Sequence, residues 1–124
     1  MQYHFHFSPT GGTRKVGHIL ANALGGSWEE RDLTAPVEAL TLSQEDLVIL
    51  SMPSYGGRVP AGSLKELDKV CGNGAKVILV CVYGNRAWED TLTEMQDAAE
   101  ARGLRCVAAV AAVAEHSLFR RYAA

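Results

Sequence analysis

The stretch Phe7-Ser8-Pro9-Thr10-Gly11-Gly12-Thr13-Arg14-Lys15 decides how this chain is read. Upstream of it, Tyr3 to Phe7 is an aromatic-rich run with the length of a short strand. Downstream, Val16, Ile19, Leu20, Ala23 and Leu24 recur at i, i+3, i+4, i+7 and i+8, which is one face of an amphipathic helix. A hydroxyl- and glycine-rich turn from strand into helix is a place to hold an anion. The first N–H groups of the helix lack intrahelical partners, and its dipole favours negative charge. Gly11 and Gly12 let the backbone curl with its N–H groups inward, and Ser8, Thr10 and Thr13 add hydroxyl donors. The guest such a turn prefers is a phosphate. The same residues also make an ordinary threonine-capped strand-to-helix turn.

Spacing sets two phosphate loops aside. A Walker A loop needs Lys and a hydroxyl after its second glycine, but His18 and Ile19 follow Gly17. The dinucleotide fingerprint Gly-x-Gly-x-x-Gly is absent. What remains is Ser/Thr-x-Thr-Gly-x-Thr, carried by Ser8, Thr10, Gly11 and Thr13.

Around this turn the chain alternates strands and helices. Gly25-Gly26 closes the first helix. Ser27 to Leu33 is a weak second strand whose charges, Glu29 to Asp32, suggest a sheet edge, and Thr34 to Asp46 reads as a loop. Leu47 to Met52 is continuously apolar, as a strand buried on both faces would be. Ala61, Leu64, Leu67 and Val70 or Cys71 have the spacing of a second helix, stopped at Gly72-Asn73-Gly74. Ala75 to Tyr83 is another strand, Leu92 to Arg102 a long helix ending at Gly103, and Leu104 to Ala114 a last strand whose alanines leave a helical reading open. Alternation of this kind implies right-handed crossovers and a doubly wound α/β fold: one domain, residues 1–124, with a five-stranded parallel sheet in the expected order 2-1-3-4-5. Its ligand crevice lies beyond the carboxyl ends of the strands at the switch point. The residues there are Ser8–Thr13, Met52–Pro60, Tyr83–Asp90 and Glu115–Ser117.

Composition narrows the functional classes. A chain of 124 residues, 48% hydrophobic and 21% charged, is long enough for a core and typical of a soluble globular domain. The formal charge of −2 gives no reason to expect nucleic acid, and no apolar stretch approaches the roughly 18 residues of a membrane span. Without a basic-then-apolar leader the expected location is cytoplasmic. Cys71, Cys81 and Cys106 are isolated, with no Cys-x-x-Cys, and read as reduced thiols.

Two further loops carry unusual residues. Pro53-Ser54-Tyr55-Gly56-Gly57-Arg58 offers an aromatic face and backbone that approaches closely, which a flat heteroaromatic ring needs; alternatively Tyr55 is a surface aromatic on a proline-anchored turn. Tyr83-Gly84-Asn85-Arg86-Ala87-Trp88 offers a second aromatic, or a tryptophan packed in the first turn of the long helix.

The loop Ser8, Thr10, Gly11, Thr13 resembles the phosphate loop of the flavodoxins, which grips the terminal phosphate of FMN. Tyr55-Gly56-Gly57 is similar to the flavodoxin loop that flanks one flavin face, where a peptide flips to bond the flavin N5 and glycine tolerates the required positive φ. Gly84, Asn85 and Trp88 match the spacing of Gly-Asp-x-x-Tyr, with Asn for Asp and Trp for Tyr. Together FSPTGGTRK, PSYGGRVP, VYGNRAWED and AEHS resemble the flavodoxin-like domain of proteins that fuse a flavodoxin to a ferredoxin, over nearly the whole chain. The cluster-binding cysteine run of that ferredoxin is absent, so no iron–sulfur cluster is expected.

The resemblance implies an FMN-binding electron-transfer flavoprotein that cycles between quinone, semiquinone and hydroquinone. It also implies a redox partner protein, with a ferredoxin among the candidates. The implied cofactor residues are Ser8, Pro9, Thr10, Gly11, Gly12, Thr13, Pro53, Ser54, Tyr55, Gly56, Gly57, Arg58, Tyr83, Gly84, Asn85, Arg86 and Trp88. No residue reads as dedicated to a substrate, so carrier and small FMN-dependent oxidoreductase both stand as readings. Arg58 and Arg86, where flavodoxins are acidic, would make the flavin less strongly reducing.

Flavodoxins end in a long helix. Here Ser117 to Ala124 leaves about two turns, so that helix is short or incomplete. The apolar run VAAVAAV then expects cover from Leu118, Phe119 and Tyr122, or from a second subunit in a homodimer. A shell without cofactor, acting in assembly or interaction, is the alternative function. A receiver-type signalling module is disfavoured, because Ser51-Met52 stands where its aspartate belongs.

Four histidines complete the inventory. His4 and His6 alternate along the first strand and share a face; they are expected to be packed and hydrogen-bonded, with no carboxylate at ligand spacing and no metal. His18 is expected on the exposed side of its helix, and His116 at the crevice rim. Gly-x-Ser-x-Gly is absent, so Ser8 is no hydrolase nucleophile.

Overall fold

The structure, a computed structural model, describes residues 1–8, 12–54, 59, 62–83 and 89–113. Among these, the strands are β1 (Gln2–His6), β2 (Glu29–Asp32), β3 (Leu40–Thr41), β4 (Leu47–Pro53), β5 (Val70–Cys71), β6 (Lys76–Tyr83) and β7 (Arg105–Val113). Two α-helices, α1 (Gly12–Leu24) and α2 (Glu89–Ala101), and a 3₁₀ helix at Glu66–Lys69 complete the described elements. The main sheet runs β2-β1-β4-β6-β7 with every pairing parallel. With the two-residue pair β3-β5 set aside, this is the expected order.

The apolar runs explain which strands lie at the centre. β4 is buried from Val48 onward, and β6 pairs with it along its whole length. Side chains alternate across the sheet. Phe5, Val48, Leu50, Met52, Val77, Leu79 and Cys81 face one side and join Met95 and Ala99 of α2. Ile49, Val80 and Val82 face the other and meet Ala21 of α1. Burying each large side chain of this kind contributes about 1.5–3 kcal/mol.

At the edges the chain changes character. The charged β2 is an edge strand, as its sequence suggests. β7 is the other edge, with Val107 and Val110 exposed. Its register shifts between Val77 and Ile78, whose partners are Cys106 and Ala108, so Val107 is the extra residue of a bulge.

The helix expected from Ala61 to Cys71 is not what forms. Glu66–Lys69 makes a single 3₁₀ turn, and Val70 turns extended (φ −97°, ψ 129°) to pair with Leu40. Leu67 and Val70 are buried as the spacing implied, because i and i+3 also coincide on a 3₁₀ turn. What overrides helix formation is a set of partners from elsewhere. The Val37 N–H donates to Glu66 Oε1 (2.8 Å) and Arg102 Nε donates to the Val70 carbonyl (3.1 Å), while within the turn Lys69 Nζ donates to the same Glu66 oxygen (2.7 Å). The stop at Gly72-Asn73-Gly74 is as read: Asn73 and Gly74 both have positive φ. The loop expected from Thr34 to Asp46 likewise contains β3, the strand that β5 pairs with. The short helix expected at Ser117 to Ala124 lies outside the described residues.

Candidate functional site

Three neighbouring strands, β1, β4 and β6, end at one edge of the sheet. β1 continues through α1 to β2 on one side, while β4 lies on its other side, so the switch point falls between β1 and β4. This is where a doubly wound sheet opens a crevice.

Ser8 leaves the end of β1, and its Oγ accepts the N–H of Arg14 (3.0 Å). That bond caps the first turn of α1 and draws the strand end and helix start into a closed loop. The hydroxyl proton of Ser8 stays available to a guest. Thr13 is buried at the helix start, whereas Gly12 is exposed, and a Cβ added there would meet no heavy atom within 4 Å. A side chain at position 12 would thus enter open space, and Ser8 offers a hydroxyl at the start of the same helix.

The second loop is tied to α2. Pro53 closes β4, the Ser54 N–H donates to the Val82 carbonyl (2.8 Å), and the Ser54 hydroxyl bonds Thr91 Oγ1 (2.7 Å) with both side chains buried. Farther along, the Val59 N–H donates to Glu94 Oε1 (3.2 Å). Tyr83, half-buried, closes β6. The segment from 54 to 59 is therefore anchored at both ends on one helix. Thr91 and Glu94 are supports that the sequence analysis missed; the only signal was a threonine in the first turn of the long helix.

Of the expected cofactor residues, Ser8, Gly12, Thr13, Pro53, Ser54 and Tyr83 are brought to this edge. Pro9, Thr10, Gly11, Tyr55, Gly56, Gly57, Arg58, Gly84, Asn85, Arg86 and Trp88, together with His116, lie outside the described residues.

No protein-family model and no curated protein matches the chain significantly. Solved structures do. A flavodoxin from Streptococcus pneumonia TIGR4 superposes with a TM-score of 0.69 at 19% identity, covering 97% of this chain and 90% of that one. A flavoprotein from Lactobacillus acidophilus NCFM, crystallised in complex with FMN, gives a TM-score of 0.67 at 11% identity, covering 99% and 98%. The fold is flavodoxin-like. Against that fold, the described strand ends occupy the expected order, and none of the described helices is long and apolar enough to cross a membrane.

A second polar group sits on the α1 side of the sheet. The His4 and His6 rings lie 5.0 Å apart, centroid to centroid, and both are buried. The register of β1 on β2 sets Glu30 beside His4. Glu30 Oε1 lies 3.3 Å from His4 Nδ1, 3.3 Å from His6 Nε2 and 2.5 Å from His18 Nε2, while Oε2 accepts from Arg14 Nη2 at 3.2 Å. His18 is thus half-buried on Glu30 rather than on a free helix face. Burial opposes ionisation of Glu30, but the hydrogen bonds from Arg14 and His18 outweigh it and hold the carboxyl down at about 2. Burial, with His6 adding to it, pushes His4 down to about 4.

Proposed function

We propose that this chain binds FMN and acts as an electron-transfer flavoprotein. The observation that carries the reading is the Ser8 hydroxyl on the Arg14 N–H at the start of α1, at the switch point, with open space at position 12. Ser8, Thr10 and Thr13, with the N–H groups of the Gly11-Gly12 turn, would hold the phosphate. Tyr55 and Trp88 would stack on the flavin, and Gly56-Gly57 would bring backbone to its edge. The flavin, when bound, supplies the one- and two-electron chemistry. The chain's part is to grip the phosphate, exclude water from the ring and hold the loops still through Ser54, Thr91 and Glu94. A redox partner protein would meet the exposed edge of the ring.

Support comes from three loop motifs that resemble those of flavodoxins, placed on strand ends that a flavodoxin-like fold brings together. The test is a titration of the purified chain with FMN, followed by flavin fluorescence and the visible spectrum. The expected result is quenching with a sub-micromolar Kd, weakened by Trp88→Ala, Tyr55→Ala and Ser8→Ala. No binding at tens of micromolar FMN would remove this reading and leave a cofactor-free assembly or interaction module.

A further inference from the structure

We propose that His4, His6 and Glu30 form a binding site for one divalent transition-metal ion of the zinc class.

The geometry is the first argument. A tetrahedral zinc with nitrogen and oxygen ligands at 2.0–2.2 Å has ligand-to-ligand edges of about 3.3–3.5 Å. The edges from Glu30 Oε1 to His4 Nδ1 and to His6 Nε2 are both 3.3 Å, and the three ligand atoms all lie within 4.8 Å of one another. Two come from alternate positions on β1 and one from the paired strand β2, so backbone pairing holds them in place before any ion arrives.

An unmet polar atom is the second. His4 is fully buried, and its Nδ1 has no hydrogen-bond partner. Glu30 Oε1 is close enough to this nitrogen, but it lies off the line that a hydrogen bond needs. An ion between the two would satisfy the nitrogen. The other ring nitrogen, Nε2, is held by the Ser51 hydroxyl at 2.9 Å, the kind of outer partner that fixes the orientation of a metal-bound imidazole. From above, α1 presses down at Gly17, where a Cβ would collide with the His4 ring and the Ser51 hydroxyl. The ring therefore has little freedom to turn away.

Charge and access agree with the geometry. The donor set is two imidazole nitrogens and one carboxylate oxygen, which brings one formal negative charge to a divalent cation. Glu30 Oε2 stays on Arg14 Nη2, while an ion at Oε1 would take the place of the His18 and Arg14 Nε hydrogen bonds to that oxygen. A cavity of about 220 Å³ lined by His4, His18, Asn22, Gly26, Trp28 and Glu30 leads in from the surface. His18, with its side chain 42% exposed, stands at its mouth. An all-nitrogen-and-oxygen set with two imidazoles and a carboxylate suits zinc and its cobalt substitute, and does not select calcium or magnesium.

The test uses the whole chain without added flavin, stripped by a chelator and titrated with Co²⁺ and then Zn²⁺. One equivalent of Co²⁺ is expected to give visible d–d bands without a thiolate charge-transfer band, and Zn²⁺ to displace it. Glu30→Gln and His6→Gln are expected to weaken binding by more than about tenfold, the lower limit for losing even an outer-shell partner. Cys71→Ser and Cys106→Ser should leave it unchanged. In the unmutated chain, zinc should also shift the ring nitrogen resonances of His4 and His6, which holds whether or not a variant folds. Failure to bind one equivalent overturns the site, as does a thiolate band lost in a cysteine variant. Ring resonances that do not move, or a folded Glu30→Gln that binds as tightly as the parent, overturn it too. None of these outcomes depends on whether FMN binds.

Discussion

On β1, Tyr3 and Phe5 belong to the core on the α2 side, while His4 and His6 turn to the α1 side. The same alternation runs through β4, where Val48, Leu50 and Met52 face α2, and Ile49 and Ser51 face α1. One layer is continuous hydrocarbon with Met95 and Ala99 packed on it. The other mixes a small apolar cluster with imidazoles, a hydroxyl and a carboxylate. Because side chains alternate strictly along a strand, one sheet can give stability to one face and chemistry to the other without either intruding. The difference predicts that substitutions in the apolar core on the α2 side act through packing, and those in the polar group on the α1 side through protons and ligands.

The largest break should come from Leu50→Ala. Leu50 is fully buried in the centre of the α2 side, and truncation there is expected to cost about 2–5 kcal/mol, read from urea unfolding, with no change in its pH dependence.

Acid should break the α1 side instead. His4 protonates at about 4 in the folded chain against an ordinary 6.5, so between those values the unfolded chain binds more protons. Stability is then full above pH 6.5 and drains as pH falls toward 4, by an amount on the order of 1–3 kcal/mol. Glu30, held at about 2 against 4.5, extends the loss in the same direction below pH 4.5. His6, His18 and Arg14 share this cluster, so the midpoint belongs to the group rather than to one ring. Urea midpoints measured from pH 8 to about 4 check the slope; a flat profile would contradict a buried neutral His4.

A smaller effect sharpens the comparison at the strand ends. Ser54→Ala removes the bond to Thr91 and is expected to cost about 1 kcal/mol, measured by thermal unfolding. If the segment from 54 to 59 holds a flavin, the same variant should weaken FMN by more than it weakens the fold.

The sequence made the sheet legible because its central strands are apolar on both faces, as at Leu47–Met52 and Ala75–Tyr83, and because glycines mark helix ends at Gly25 and Gly103. It misled between 61 and 71, where a spacing shared by α and 3₁₀ turns was settled by Val37, Leu40 and Arg102. The phosphate-type loop is read from consecutive residues, of which Pro9, Thr10 and Gly11 lie outside the described residues. The group around Glu30 was not legible. Its carboxylate stands 26 residues from His4 in the chain and reaches it only through strand register, which no local pattern encodes. Thr91 and Ser54, 37 residues apart, meet for the same reason.

Gly17 rests on the His4 ring five residues into α1 from Gly12, about 7.5 Å along the helix axis. That contact is a fulcrum. A helix rocking on it by about 10° would swing its first turn, and the Ser8 hydroxyl tied to Arg14, by roughly 1 Å, a displacement large enough to spoil a binding geometry. The start of α1, and with it the Ser8–Arg14 bond, is thus gauged from below by the His4 imidazole.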